Sequence, residues 1–326
     1  MQARIARSQA PTYNLSGFAP QATSARAHNP NMAEPVSANA SASGGSALLS
    51  VRGVSVRFGG IVALDNVSFD VDRGDICGLI GPNGAGKTTL FNCMSRLYQY
   101  QSGDIVLEGQ SLTDVPIHRI AALGLGRTFQ NLAMFRTLTV TDNVMVGAHA
   151  RSSAGFVSSA LRLPSVGSEE ARLRERAHEI MEYLGLLPFA NRAAGDLPFA
   201  TQKRVELGRA LAAEPKLLML DEPAAGLNHQ ELEALDDVIR DIRDRLRITV
   251  LLVEHHMSLV MSLSDHIVVL NFGRKIAEGT PAQIQNHPDV IEAYLGAGAD
   301  QGNLGPSAPS LREGMSPFGR PGGAHA

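Results

Sequence analysis

The chain has 326 residues, and its 29 Lys and Arg against 32 Asp and Glu give a formal net charge of -3, enough length for one sizeable or two modest globular cores. At 44% hydrophobic and 19% charged residues, with a pI near 6.4, the composition excludes disorder throughout and excludes a polybasic, histone-like binder of nucleic acid. The two cysteines, Cys77 and Cys93, both lie in apolar-patterned segments, which argues against a disulfide scaffold or a cysteine zinc site and fits a reducing, cytoplasmic home.

In chain order, residues 1–46 contain 11 Ala, 7 Ser, 4 Pro and 3 Gly. They show no apolar periodicity able to offset the entropy of ordering, so a disordered tail is expected. Arg4, Arg7 and Arg26 against Glu34 superficially suggest an organelle transit peptide, but no amphipathic stripe accompanies them. Synthesis from Met32 would remove most of this tail, and an intact mass would decide the start. Residues 297–326, with 7 Gly, 5 Ala, 4 Pro and 3 Ser, read as a second tail. The longest aliphatic runs, such as Val250–Val253, fall far short of the roughly 20 apolar residues that span a bilayer.

Residues 47–296 carry the periodic signal. Alternation at Leu49, Val51, Val54 and Val56 and a second run at Val67–Val71 predict strands. Ile76–Ile80 leads into a glycine-rich turn and then an apolar-striped helix over about Lys87–Leu97. The middle of the chain, roughly 113–211, is mainly helical in pattern and is expected to be a subdomain inserted into the sheet. Leu217–Leu220 and Thr249–Val253 are short continuous apolar runs, as in parallel strands buried on both faces. Between them Leu232, Leu235, Val238, Ile239, Ile242 and Leu246 keep helical spacing, with Asn228 as cap and Glu231 in the capping-box position. An α/β architecture with a parallel central sheet follows.

Gly81, Pro82, Asn83, Gly84, Ala85, Gly86, Lys87 and Thr88, followed by Thr89, match the phosphate-binding loop pattern between a strand and a helix. Glycines at these spacings let backbone N–H groups turn toward a polyphosphate, with the positive end of the helix behind them. Lys87 would reach the β and γ phosphates of ATP and the Thr88 hydroxyl would ligate Mg²⁺. The run Leu217–Leu220 ends in Asp221 and Glu222, at the edge where parallel sheets hold their ligands. Asp221 would hold Mg²⁺, and Glu222 would orient and polarise the attacking water, because in-line phosphoryl transfer depends chiefly on a positioned nucleophile.

Together with Thr128-Phe129-Gln130, the Leu197–Arg204 segment before the acidic strand, Ala225–Asn228 after it and His255 at the end of the next strand, these motifs resemble the ATP-binding subunit of an ABC transporter. The resemblance spans Leu48–Gly296. It implies a P-loop NTPase of ABC type, with a mainly parallel sheet, an inserted helical subdomain and a small antiparallel β region. It also implies that Phe58 stacks on adenine, that Gln130 contacts Mg²⁺ and the water, and that His255, rather than His256, meets the γ phosphate. The signature segment departs from the family's Leu-Ser-Gly-Gly-Gln: Leu197, Pro198, Phe199, Ala200 and Thr201 stand there. Pro198 brings no hydroxyl, and Ala200 would carry a Cβ penalty of about 1–2 kcal/mol if its φ were positive. The helix dipole is expected to survive, because proline is tolerated in a first turn.

Gly126–Val144, the insertion over about Ala148–Arg176, Ala224–Asn228 and the ending Gly279–Gly296 are similar to the LivG-type ATPases of branched-chain amino acid importers; urea and amide importers and lipopolysaccharide exporters use closely similar subunits. That resemblance implies a homodimer or a heterodimer with a homologous ATPase subunit, sandwiching two ATP molecules head to tail. It implies integral membrane permease subunits, indirectly a solute-binding protein, and a peripheral place on the cytoplasmic face of the membrane. No nucleic acid partner is expected. A soluble ABC-type ATPase acting on ribosomes or DNA ends is the rival, opposed by a single cassette without sustained heptads.

Overall fold

The computed structural model describes residues 47–129, 132–149 and 164–296. Gln130, both expected tails and the stretch 150–163 of the expected insertion lie outside the described residues.

The chain opens with two long strands, β1 (Ala47–Phe58) and β2 (Ile61–Asp72), joined at the two-residue turn Gly59-Gly60 and paired antiparallel from Phe58↔Ile61 outward. β4 (Ser102–Leu107) adds to the other edge of β1 and carries the short β5 (Gln110–Ser111), giving a four-stranded antiparallel sheet in the order β2-β1-β4-β5. The six-stranded sheet comprises β3 (Ile76–Ile80), β6 (Leu125–Arg127), β7 (Leu217–Asp221), β8 (Thr249–Val253), β9 (His266–Asn271) and β10 (Arg274–Gly279). Its order is β10-β9-β3-β8-β7-β6, with every pair parallel except β9-β10. β3, β7 and β8 are buried along their whole length, which is why their sequences run apolar without alternation.

One apolar cluster fills the space between the two sheets around Leu90, Phe91 and Met94. A second covers the other face of the parallel sheet and continues among the helices Val140–Ala148, Pro164–Tyr183 and Phe199–Ala212, which pack on one another. Cys77 and Cys93 are buried free thiols, and burial pushes Cys93 up to about 11, so neither is a reactive thiolate at neutral pH.

Three expectations shift in detail. The helix after the phosphate loop spans Lys87–Met94 rather than reaching Leu97: the Ser95 hydroxyl donates back to the Phe91 carbonyl at 2.9 Å and Arg96 turns left-handed at φ 60°, which ends the helix. The capping box at Asn228 and Glu231 is present, but its helix spans His229–Asp244 and leaves Leu246 in the following turn. The span 113–211 is not helical from its start, since it contributes β6 to the parallel sheet.

Candidate active site

β3, β6, β7 and β8 run parallel, so the segments leaving them emerge at one edge of the sheet. Those segments are the phosphate loop, Thr128-Phe129, Glu222 and Glu254-His255.

The loop needs glycine at two places for steric reasons. Gly81 has φ 150° and a Cβ there would lie 2.1 Å from the Leu270 carbonyl oxygen of β9; Gly86 has φ 102° and its Cβ would lie 2.7 Å from the Ala63 oxygen of β2. The loop is thus wedged between the two sheets. Lys87 is buried, and its Nζ donates to the carbonyls of Gly81 at 2.6 Å and Pro82 at 3.0 Å. Burial pulls its pKa down, while Glu222 and Asp221 push it back, so these carboxylates favour the charged amine. No side chain caps the Lys87–Met94 helix and no acidic residue lies in its first turn. Its first amides, with Thr88 exposed beside them, suit an anion.

Phe58 ends β1 and is 46% exposed, with its ring edge-on to Tyr98 at 5.3 Å. Its pairing partner Ile61 opens the strand whose Ala63 and Leu64 abut Gly86.

Asp221 is buried, and its Oδ2 accepts from the Arg127 guanidinium at 3.0 Å. Its Oδ1 is buried with no hydrogen-bond partner among the described residues. Burial raises this carboxyl, against the pull of Arg127. An unsatisfied carboxylate oxygen in this position fits Mg²⁺ or one of its waters, since a buried acceptor otherwise costs about 1–3 kcal/mol. Arg127 also donates to Asn92 Oδ1 at 2.9 Å, Ser95 Oγ at 3.0 Å and the Phe91 carbonyl at 3.3 Å, tying the acidic strand to the end of the loop's helix.

Glu222 has φ 49°, and its amide donates to the Val253 carbonyl at 2.9 Å. Its Oε1 lies 2.5 Å from Nε2 of His255. His256 instead stands at the N-cap of the Met257–Leu263 helix, so of the two adjacent imidazoles His255 faces the carboxylate. Glu254, 1% exposed, accepts from the amides of Ala224 at 2.6 Å and His255 at 3.0 Å, clamping the loops after β7 and β8 together.

In the signature segment Pro198 is the N-cap of the Phe199–Ala212 helix, with no side-chain cap and no acidic first-turn residue. Pro198 is exposed and Ala200 half-buried, whereas Leu197 and Thr201 are buried; the Thr201 hydroxyl accepts from Arg204 at 3.4 Å. Ala200 lies inside the helix without positive φ, so the feared Cβ penalty does not arise. Among the described residues, no hydrogen bond or ion pair joins Leu197–Thr201 to the phosphate loop of the same chain.

Arg127, Glu254, Lys203 and Glu206 escaped the sequence reading. Glu206, on the signature helix, accepts from the amides of Phe129 at 3.0 Å and Ala133 at 3.4 Å, and so holds the chain on both sides of residues 130–131.

A family profile described as "ABC transporter" matches residues 64–225, and one described as "Branched-chain amino acid ATP-binding cassette transporter" matches 274–300. The chain is 46% identical over 249 residues to the high-affinity branched-chain amino acid transport ATP-binding protein LivG of Escherichia coli strain K12, an alignment covering 76% of this chain and 98% of the relative. To BraF of Pseudomonas aeruginosa it is 45% identical, again over 76% of this chain and 98% of the relative. The crystal structure of the ATP-binding cassette MJ1267 in its ADP conformation superimposes with a TM-score of 0.65 at 31% identity, covering 77% of this chain and 99% of that one. The chain therefore belongs to the ATP-binding cassettes of ABC transporters, in the branch that holds LivG and BraF.

Proposed function

We propose that this chain is the ATP-hydrolysing subunit of an importer for branched-chain amino acids, one of two cassettes beneath a membrane permease at the cytoplasmic face of the membrane. The reading is carried by the convergence of the phosphate loop, the Asp221-Glu222 pair and His255 at one edge of the sheet, in a chain 46% identical to LivG over nearly all of that relative.

The phosphates of ATP lie along the loop amides and Lys87, and the adenine stacks on Phe58. Thr88 and Asp221 would hold Mg²⁺, a role the family resemblance also implies for Gln130, and the ion would supply charge neutralisation for the polyphosphate. Glu222 orients the attacking water and takes its proton, and His255 keeps that carboxylate and the γ phosphate in line. The uncapped N-terminus of the Phe199–Ala212 helix supplies amides to the nucleotide of a second cassette, either another copy or a homologous subunit. Hydrolysis by water converts the bridging γ phosphate into free phosphate, and as that product leaves the two chains lose charge-assisted contacts, so the pair opens and moves the permease. A solute-binding protein delivers the amino acid on the far side without touching this chain.

Co-purification of the tagged protein from gently solubilised membranes, followed by a salt wash that strips weak surface ion pairs, tests the assembly. Polytopic partners are expected, encoded with a solute-binding protein that binds Leu, Ile or Val. Recovery with ribosomes or nucleic acid, or with a permease whose binding protein ignores these amino acids, would overturn the corresponding part of the reading.

A further inference from the structure

The first turns of the Phe199–Ala212 helix are seated on the loop that follows β7 in the same chain. Lys203 Nζ donates to the backbone carbonyl of Glu222 at 3.1 Å and lies 5.5 Å from the centroid of the Phe199 ring. That ring covers Gly226, where a Cβ would come within 2.9 Å of it. The Glu222 carbonyl also accepts from the Ala225 amide at 3.2 Å, so it is gripped on one side by its own turn and on the other by the helix. The grip falls on the residue held at φ 49°, a left-handed conformation that an L-residue keeps only where neighbours enforce it. Burial draws the Lys203 pKa down, and Glu206, Glu254 and Glu222 push it back. The lysine is therefore a partly desolvated cation near these carboxylates, and among the described residues its hydrogen bond goes to the Glu222 backbone.

We propose that Lys203 is a positioning residue that keeps the Glu222 carboxylate in register by holding its backbone carbonyl. Seating of the signature helix thereby becomes a condition for hydrolysis in the same chain. The inference rests on the reading above in which Glu222 orients the water and the helix N-terminus meets the partner's nucleotide. Under that arrangement, one cassette's catalytic glutamate responds to whether its partner has ATP bound.

The test uses the full chain with Lys203→Met and Lys203→Arg. Three quantities are read: affinity for a fluorescently labelled ATP, steady-state turnover, and hydrogen–deuterium exchange of the peptide spanning 221–227 without nucleotide. Lys203→Met is expected to lower kcat about tenfold, a change of about 1.4 kcal/mol in the barrier, with KM and nucleotide affinity within about twofold and exchange of 221–227 accelerated. Lys203→Arg, which keeps a cationic donor, is expected to restore most of the turnover and the protection. Wild-type kcat in Lys203→Met overturns the proposal, as does loss of kcat in parallel with nucleotide affinity, or loss of kcat with unchanged exchange. Glu222→Gln runs alongside: if it turned over ATP like wild type, the assignment of Glu222 would fail, a result distinct from any failure at Lys203.

Discussion

The imidazole Nε2 of His255 lies 2.5 Å from the Glu222 carboxylate, joining the ends of β7 and β8 across residues 33 apart in sequence. Glu222 reaches that contact in a left-handed backbone conformation at φ 49°, so strain sits at a residue whose carboxylate faces the catalytic edge. Glu222→Gln keeps the shape and removes the base. Its ATP turnover is expected to fall by about 10²–10⁴-fold, while labelled-ATP affinity is retained and an ATP-bound dimer accumulates in gel filtration. His255→Ala should lower kcat with KM little changed. A Glu222→Gln protein that stayed monomeric at saturating Mg-ATP would speak against the sandwich. The chain has no Trp, so the binding measurement needs the labelled nucleotide.

The buried pair Arg127–Asp221, with side chains 7% and 2% exposed, makes a different kind of prediction. Removing one member of a buried ion pair leaves the other as an uncompensated charge, at a cost of about 3–5 kcal/mol. Arg127→Met is expected to lose that amount, roughly 6–20 °C in Tm for a domain of this size. Adding Asp221→Asn should recover part of it, because the stranded charge is gone. Differential scanning calorimetry of the three proteins decides, and a single variant melting within about a degree of wild type would refute the structural role of Arg127.

The contrast between these two pairs explains what the sequence could convey. The phosphate loop, the acidic end of β7 and the Asn228–Glu231 cap were legible because each is a local pattern: a strand–glycine–helix unit, a carboxylate pair closing an apolar run, a polar residue three before an acid. His255 was legible through resemblance, which also chose it over His256, whereas its contact with the Glu222 carboxylate came only with the fold. Arg127, Glu206 and Glu254 act on partners 94, 77 and 30 residues away. An arginine after a Gly, or a glutamate inside an amphipathic helix, has no local signature separating a buried clamp from a solvated charge. The β6 strand was hidden for a related reason: three residues, Leu125–Arg127, are too short to show a period.

Ala200 gives a prediction opposite in sign to the one its departure from the signature pattern invites. Glycine would be needed if φ were positive, but Ala200 lies in the helical first turn, where Gly costs about 0.5–1 kcal/mol relative to Ala. Ala200→Gly is therefore expected to lower Tm slightly and to leave basal ATP turnover unchanged. A large rise in turnover without partner subunits would mean that the alanine methyl itself restrains the sandwich.

Glu206 couples the signature helix to Phe129 and Ala133, which flank Gln130 in sequence, through two backbone amides, and its own charge is held there against burial, which raises its pKa. A carboxyl whose folded pKa exceeds its unfolded value binds protons more readily in the native state. Its contribution is full below the unfolded value, about 4.3, and is lost as pH climbs from there through the folded value. Glu206→Gln keeps an acceptor for Phe129 and Ala133 without the charge. The stability of Glu206→Gln relative to wild type is accordingly expected to improve as pH rises above about 4.3 through the raised folded value and then to level off. Glu206→Ala should be less stable throughout, because it strands both amides at about 1–3 kcal/mol each. Urea unfolding at a series of pH values measures both effects, and a Gln variant whose relative stability fell with rising pH would show that the carboxylate charge, rather than its lone pairs, holds the loop.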